Sequence, residues 1–170
     1  EAMLSGIVLD TKSFTLHTGV RTFEAAAYLK QLGADTLEVK RMFGGDMEMY
    51  VKKYGIISKA KEINKGVSLA VVDHQVERAI AAQAADEMMS IAGMKAAIVV
   101  FAEGEGCAVS ARSFGDINVQ VLMEKIGGGG SLNMAGAQFA DKKPSQAAKL
   151  IQQAVAEYIK NEETADGKED

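Results

Sequence analysis

Between residues 67 and 113 the sequence carries three short apolar stretches that do not repeat at helical spacing, VSLAVVD, KAAIVVFAE and CAVSARS. No other feature limits the fold as much, because β-branched residues in such runs fit a pleated, half-buried surface. VSLAVVD (67–73) reads as a strand, and KAAIVVFAE (95–103), with no polar alternation, as a buried one. CAVSARS (107–113) alternates and follows Gly-Glu-Gly, which marks it as the hairpin partner of the preceding run. An alanine-rich helix, ERAIAAQAADEMMSI (77–91), lies between the first two. MAGAQFA adds a further strand. INVQVLMEKIG is a helix closed by Gly127, and PSQAAKLIQQAVAEYIK (144–160) a helix with Pro144 in its first turn. The predicted class is α+β, with a mixed, mainly antiparallel sheet.

The front part is helical. Residues 2–9 form a short apolar segment ending at Asp10 and Thr11. RTFEAAAYLKQLG (21–33) has Thr22 in a capping position and Gly33 as its stop, and Asp35 caps another short helix through Met42. DMEMYVKKYGIISKAKEIN (46–64) is apolar at Met47, Tyr50, Val51, Tyr54, Ile57 and Ile63, which predicts one long amphipathic connecting helix, broken at Gly66. The expected organisation is a helical piece over 1–45, a connecting helix over 46–65, an α+β domain over 66–161 and a disordered tail, NEETADGKED, over 162–170. The chain opens in mid-apolar pattern without methionine, so an upstream segment is expected.

Charge and cysteine usage exclude several classes. A net charge of -4 argues against a broad basic surface for long nucleic acid. The single cysteine, Cys107, makes neither an internal disulfide nor a cysteine-based zinc site and suits a reducing compartment. At the start of a strand it reads as a small apolar residue. No apolar run reaches the length of a membrane span.

Three stretches can carry chemistry. In GIVLDTKSF, Asp10 ends an apolar segment, where a carboxylate is either a turn residue or a ligand for a hard metal ion. In SARS, Arg112 lies between the small Ser110 and Ser113, with room for its guanidinium to reach an anion. In GGGGS, the residues Gly127, Gly128, Gly129, Gly130 and Ser131 form a slack linker, a purely structural turn, or a turn that brings bare backbone against a ligand. Apolar residues on both sides of the run weigh against the linker. His17, in the loop after Asp10, is either a solvated loop residue or one that approaches a substrate, and His74 reads as a turn residue after a strand.

In this order, G-x-x-x-D-T-x-x-F (Gly6, Asp10, Thr11, Phe14), VSARS and GDINVQVLMEKIGGGG resemble the DHH phosphoesterase family with its DHH-associated domain. The likeness is greatest to membrane-anchored cyclic-di-AMP phosphodiesterases of the GdpP/YybT type, and it covers the chain to about residue 160. The resemblance implies that 1–45 is the end of a catalytic domain and 66–161 a substrate-binding domain. It implies that Asp10 is one ligand of a two-manganese centre, that Ser110 and Arg112 face the substrate, that the four glycines let a nucleotide approach the backbone, and that Ser131 after them offers the substrate a hydroxyl. It also implies a parent anchored to the bacterial membrane and working on its cytoplasmic side, which hydrolyses cyclic di-AMP to linear pApA; the upstream catalytic domain of the same parent would be this chain's partner.

Two departures stand out. Ser131 occupies the position where the family has histidine, and the family's upstream metal ligands, its Asp-His-His triplet included, are absent from this chain. The truncated chain is therefore expected to be inactive alone. A non-catalytic nucleotide-binding regulatory module and a phosphodiesterase for short linear oligonucleotides are the alternative readings. The apolar N-terminal segment makes a homodimer an open expectation.

Overall fold

The structure, a computed structural model, describes residues 1–166. It divides into two units, Glu1–Asp46 and Met47–Asp170. The first holds α1 (Ala2–Asp10), α2 (Val20–Gln31) and α3 (Thr36–Met42), closed around buried Leu4, Ala34 and Val39 with Val8, Ala26 and Leu29 packed against them. Asp35 caps α3 as expected, its carboxylate accepting from the Leu37 N–H at 2.8 Å. Thr22 does not cap α2 from outside. It is the third helical residue, and its hydroxyl accepts from the N–H of Gly19, the residue at the cap position, at 3.2 Å.

The second unit begins with α4 (Met47–Ile57), which is shorter than the predicted connecting helix. Ser58 turns its hydroxyl back onto the Gly55 carbonyl at 3.0 Å, and the chain continues as β1 (Lys61–Asn64), paired antiparallel with β2 (Val67–Gln75). Pairing with a neighbouring strand has overridden the helical spacing of KAKEIN. The buried contact of α4 is Ile56, whereas Met47, Tyr50, Val51 and Tyr54 are exposed. Lys53 joins α4 to the next helix through Glu87 at 2.8 Å. Burial works against its charge, but the Glu87 carboxylate outweighs that and raises its pKa.

α5 (Arg78–Met88) carries the chain from β2 to the parallel strand β3 (Ala96–Glu103), and a Gly104-containing turn leads into β4 (Gly106–Ser113). α6 (Val119–Glu124), β5 (Gly129–Gly130), β6 (Met134–Phe139) and α7 (Pro144–Asp166) complete the unit. The six strands are ordered β1-β2-β3-β4-β6-β5, and four of their five pairings are antiparallel. His74 lies within β2 rather than in a turn after it. Residues 162–166 continue α7 instead of forming a disordered tail, and the remainder of that tail lies outside the described residues.

Strand alternation gives each side of the sheet its own core. Ala96, Ile98 and Val100 of β3 and Cys107, Val109 and Ala111 of β4 pack under α6 and α7. Ala97, Val99 and Phe101 with Ala108 pack under α4 and α5. Cys107 is fully buried in the first layer, and burial pushes its thiol pKa up, as suits a small apolar filler. Because Ile98 is fully enclosed in that layer, Ile98→Ala should lower stability by about 2–5 kcal/mol in urea denaturation, through lost transfer energy and a residual cavity.

Candidate functional site

The face of the sheet under α5 is only partly covered, and the strand register sets out its rows. Phe101, Ala108 and Gln138 form one row across β3, β4 and β6; Val99, Ser110, Gly136 and Gly129 form the next across β3, β4, β6 and β5; Ala97, Arg112 and Met134 form the third. An open cleft of about 410 Å³ lies over the first two rows, lined by Ser110, Gly128, Gly136 and Gln138 and flanked by Arg78 and Ala82 of α5. Its floor has little side-chain bulk, so a flat ligand can lie close to sheet backbone.

Arg112 does not project freely toward solvent. Its Nε donates to Asp86 Oδ1 at 3.2 Å, and one terminal nitrogen donates to Ser110 Oγ at 3.2 Å and to the Ala111 carbonyl at 2.9 Å. The guanidinium thus fixes the Ser110 oxygen as an acceptor and leaves the serine proton available to donate over the cleft. The expected pair is brought together, with Asp86 as an anchor that the sequence did not point out.

The glycine run is no linker. It leaves α6 through a C-terminal turn in which the Gly128 N–H reaches the Met123 carbonyl at 2.8 Å and Gly127 takes the left-handed φ of 86°. At Gly128 a Cβ would lie 2.2 Å from the Gly136 carbonyl oxygen, and at Gly130 it would lie 2.4 Å from the Met134 carbonyl oxygen, so both are required by the approach of β6. Gly129 differs: a Cβ there meets nothing within 4 Å. By register it shares the cleft face with Gly136 and Ser110. Nothing inside the described residues requires glycine at this position.

Ser131 closes the β5–β6 turn, its N–H and Oγ both directed to the Met134 carbonyl, at 2.7 and 3.3 Å. Met134 pairs in register with Arg112, so Ser131 and Arg112 border the same residue. At the other end of the cleft Glu103 accepts two hydrogen bonds from Arg78 and one from Gln138 Nε2 at 3.1 Å. The Arg78 hydrogen bond holds the Glu103 carboxyl below its usual pKa, and Glu103 in turn raises that of Arg78. Neither Arg78 nor Gln138 was singled out from the sequence, though the alternation of MAGAQF places Gly136 and Gln138 on one face.

Asp10 belongs to the first unit, as the exposed last residue of α1. Its neighbours in the motif have structural roles: the buried Thr11 hydroxyl donates to the Ile7 carbonyl at 2.7 Å and accepts from the Phe14 N–H at 2.9 Å, and Phe14 stacks on Phe23. Lys12, Ser13, Phe14 and His17 all have left-handed backbone, and His17 is exposed. Among the described residues no three His, Cys, Asp or Glu side chains gather where they could hold a metal ion. The described residues therefore do not by themselves make up a two-metal centre. A second cavity of about 420 Å³ lies at the end of β2, beside Lys52, Ile56, His74 and Ile80. It contains none of the expected site residues.

Residues 62–161 match the DHHA1 domain, and the chain belongs to that family. It is 42% identical over 161 residues, 93% of its length, to cyclic-di-AMP phosphodiesterase GdpP of Geobacillus thermodenitrificans. It is 43% identical over 164 residues, 95% of its length, to cyclic-di-AMP phosphodiesterase PdeA of Listeria monocytogenes. The chain spans only about a quarter of those relatives, 24% and 25%. The crystal structure of an exopolyphosphatase-related protein from Bacteroides fragilis superposes with a TM-score of 0.79 at 20% identity, over 89% of this chain and 48% of that one, which establishes the shared fold. Among the described residues no helix is long and apolar enough to cross a membrane.

Two tests follow from the cleft itself. Gly128→Ala should cost about 1–3 kcal/mol, because the methyl meets backbone, whereas Gly129→Ala should be neutral or stabilising by up to about 1 kcal/mol; chemical denaturation of the two variants reads the contrast. The Arg78–Glu103 pair stabilises the fold fully above the ordinary carboxylate range and loses its effect as pH falls through the lowered Glu103 value. Arg78→Leu should therefore unfold more easily than the parent sequence at neutral pH, and the difference should close in acid.

Proposed function

We propose that this chain is the substrate-binding part of a phosphodiesterase that hydrolyses cyclic di-AMP to linear pApA, and that the cleft beside α5 receives the nucleotide. Support comes from its similarity, over nearly its whole length, to two proteins named as cyclic-di-AMP phosphodiesterases. The observation that carries the reading is Gly129, in one row with the cleft-lining Gly136 and Ser110 and with open space where its Cβ would stand. Bare backbone at that position serves a ligand rather than the fold.

In this reading the nucleotide lies on the floor formed by Gly128, Gly136 and Ala108, with Gly129 at its border. The Ser110 hydroxyl donates to a phosphate or sugar oxygen, and Arg112, held by Asp86, keeps that hydroxyl in place and adds positive charge beside it. β5 ends the sheet order, so one side of its backbone is left unpaired by any strand and can meet the phosphate. Manganese enters only with ligands outside this chain, Asp10 being its single candidate contribution. Anchoring to the bacterial membrane and action on the cytoplasmic side belong to the same proposal, through the relatives' longer chains.

Gly129→Val tests the central claim. A β-branched residue suits a strand and its Cβ meets nothing within 4 Å, so the thermal midpoint should move by less than about 4 °C, while calorimetric titration with cyclic di-AMP should lose its signal. Equal loss of stability and of binding would return the glycine run to a structural turn. Undiminished binding would move the nucleotide off this face, and tighter binding of linear pApA than of cyclic di-AMP would favour an enzyme for short oligonucleotides.

A further inference from the structure

Resting on that reading of the cleft, we infer that Gln138, oriented by Glu103 and Arg78, is the group that reads the base, and that it selects a 6-aminopurine over a 6-oxopurine. A glutamine amide has an acceptor end and a donor end, and either can face a ligand unless something fixes it. Here Glu103 fixes it. Arg78 donates to both oxygens of that carboxylate, which keeps it charged and acceptor-only, and the Gln138 amide meets it nitrogen first at 3.1 Å. The reversed amide would set a carbonyl oxygen against a carboxylate oxygen, a repulsive contact.

With one N–H committed to Glu103, Gln138 presents to the cleft a free carbonyl oxygen and one remaining N–H. An adenine edge offers the complement, an exocyclic N6–H₂ donor beside a ring-nitrogen acceptor. In the same pose guanine sets O6 where adenine has N6–H₂, with N7 or N1–H beside it, so O6 would face the Gln138 oxygen with no proton between them. Position agrees with chemistry. Gln138 lies in one row with Ala108, adjacent to the row of Ser110, Gly136 and Gly129, so a ring over the small floor has its edge toward Gln138 and its sugar-phosphate toward Ser110. The cleft volume of about 410 Å³ falls within the range of small-molecule sites, about 300–1,000 Å³. Gln138 is itself exposed, so replacing it disturbs no core.

The test compares cyclic di-AMP with cyclic di-GMP by titration calorimetry on the full-length protein carrying this chain, without added divalent metal so that no turnover intervenes. The unmodified protein should bind the adenine dinucleotide at least about tenfold more tightly. Gln138→Leu should bring that ratio close to one. Glu103→Gln should do the same although it leaves Gln138 in place, since a neutral partner lets the amide turn either way. A merely structural role for Glu103 would weaken both ligands equally. Equal affinities in the unmodified protein, or a ratio that survives both substitutions in folded variants, would overturn the inference and leave the cleft a dinucleotide site. Failure of the unmodified protein to bind either ligand would remove the proposed function, and the inference with it.

Discussion

β4 divides its residues between a sealed core and an open cleft, and its register between β3 and β6 decides which residue does which. Cys107, Val109 and Ala111 lie in the layer under α6 and α7, while Ala108, Ser110 and Arg112 lie on the opposite face. A slip of one position would bury a serine and an arginine among alanines and leucines and turn Val109 to solvent. Antiparallel pairing on both sides and the core beneath α7 resist that slip together. The same register sets Gly136 opposite Ser110 and Gly129 opposite Gly136. Thus the cleft floor follows from strand pairing, not from a loop shaped for it.

On that frame the charged residues are arranged in two anchored pairs, one at each end of α5. Asp86 holds Arg112 and Glu103 holds Arg78. Each pair leaves a neutral polar group in a defined orientation, Ser110 at one end and Gln138 at the other. An arginine that meets a carboxylate before any ligand arrives offers less net attraction to a phosphate but loses less side-chain freedom on binding. The arrangement favours geometric selection over raw charge, in keeping with a chain whose net charge is negative.

Much of the fold was legible because local signals and tertiary packing agree. The apolar runs, the glycine turn between β3 and β4, Pro144 at the start of α7 and Asp35 at the cap of α3 each carry their own physical reason. KAKEIN misled because its helical spacing continues that of α4, while pairing with β2 is a long-range fact that no window of sequence contains. The site was half legible. Ser110, Arg112 and the glycines stood out by composition, but the partners that define their chemistry, Asp86 and Glu103, are 26 and 35 residues away in sequence from the groups they orient. The difference between Gly129 and its two neighbours is also invisible in a run of identical letters. It appears only when each missing Cβ is placed against β6.

The sheet's two borders are both short. β1 contributes four residues, with Lys61 and Glu62 exposed and an irregular register against β2, and β5 contributes two glycines. A row of unpaired backbone groups is ordinarily a template on which another chain can add a strand, and brevity, charge and irregularity are the usual means of denying it. At the two-residue border of β5 an extended polypeptide finds too few groups in line to gain a foothold. The glycine run thus leaves bare backbone at the border of the sheet without offering an edge for aggregation.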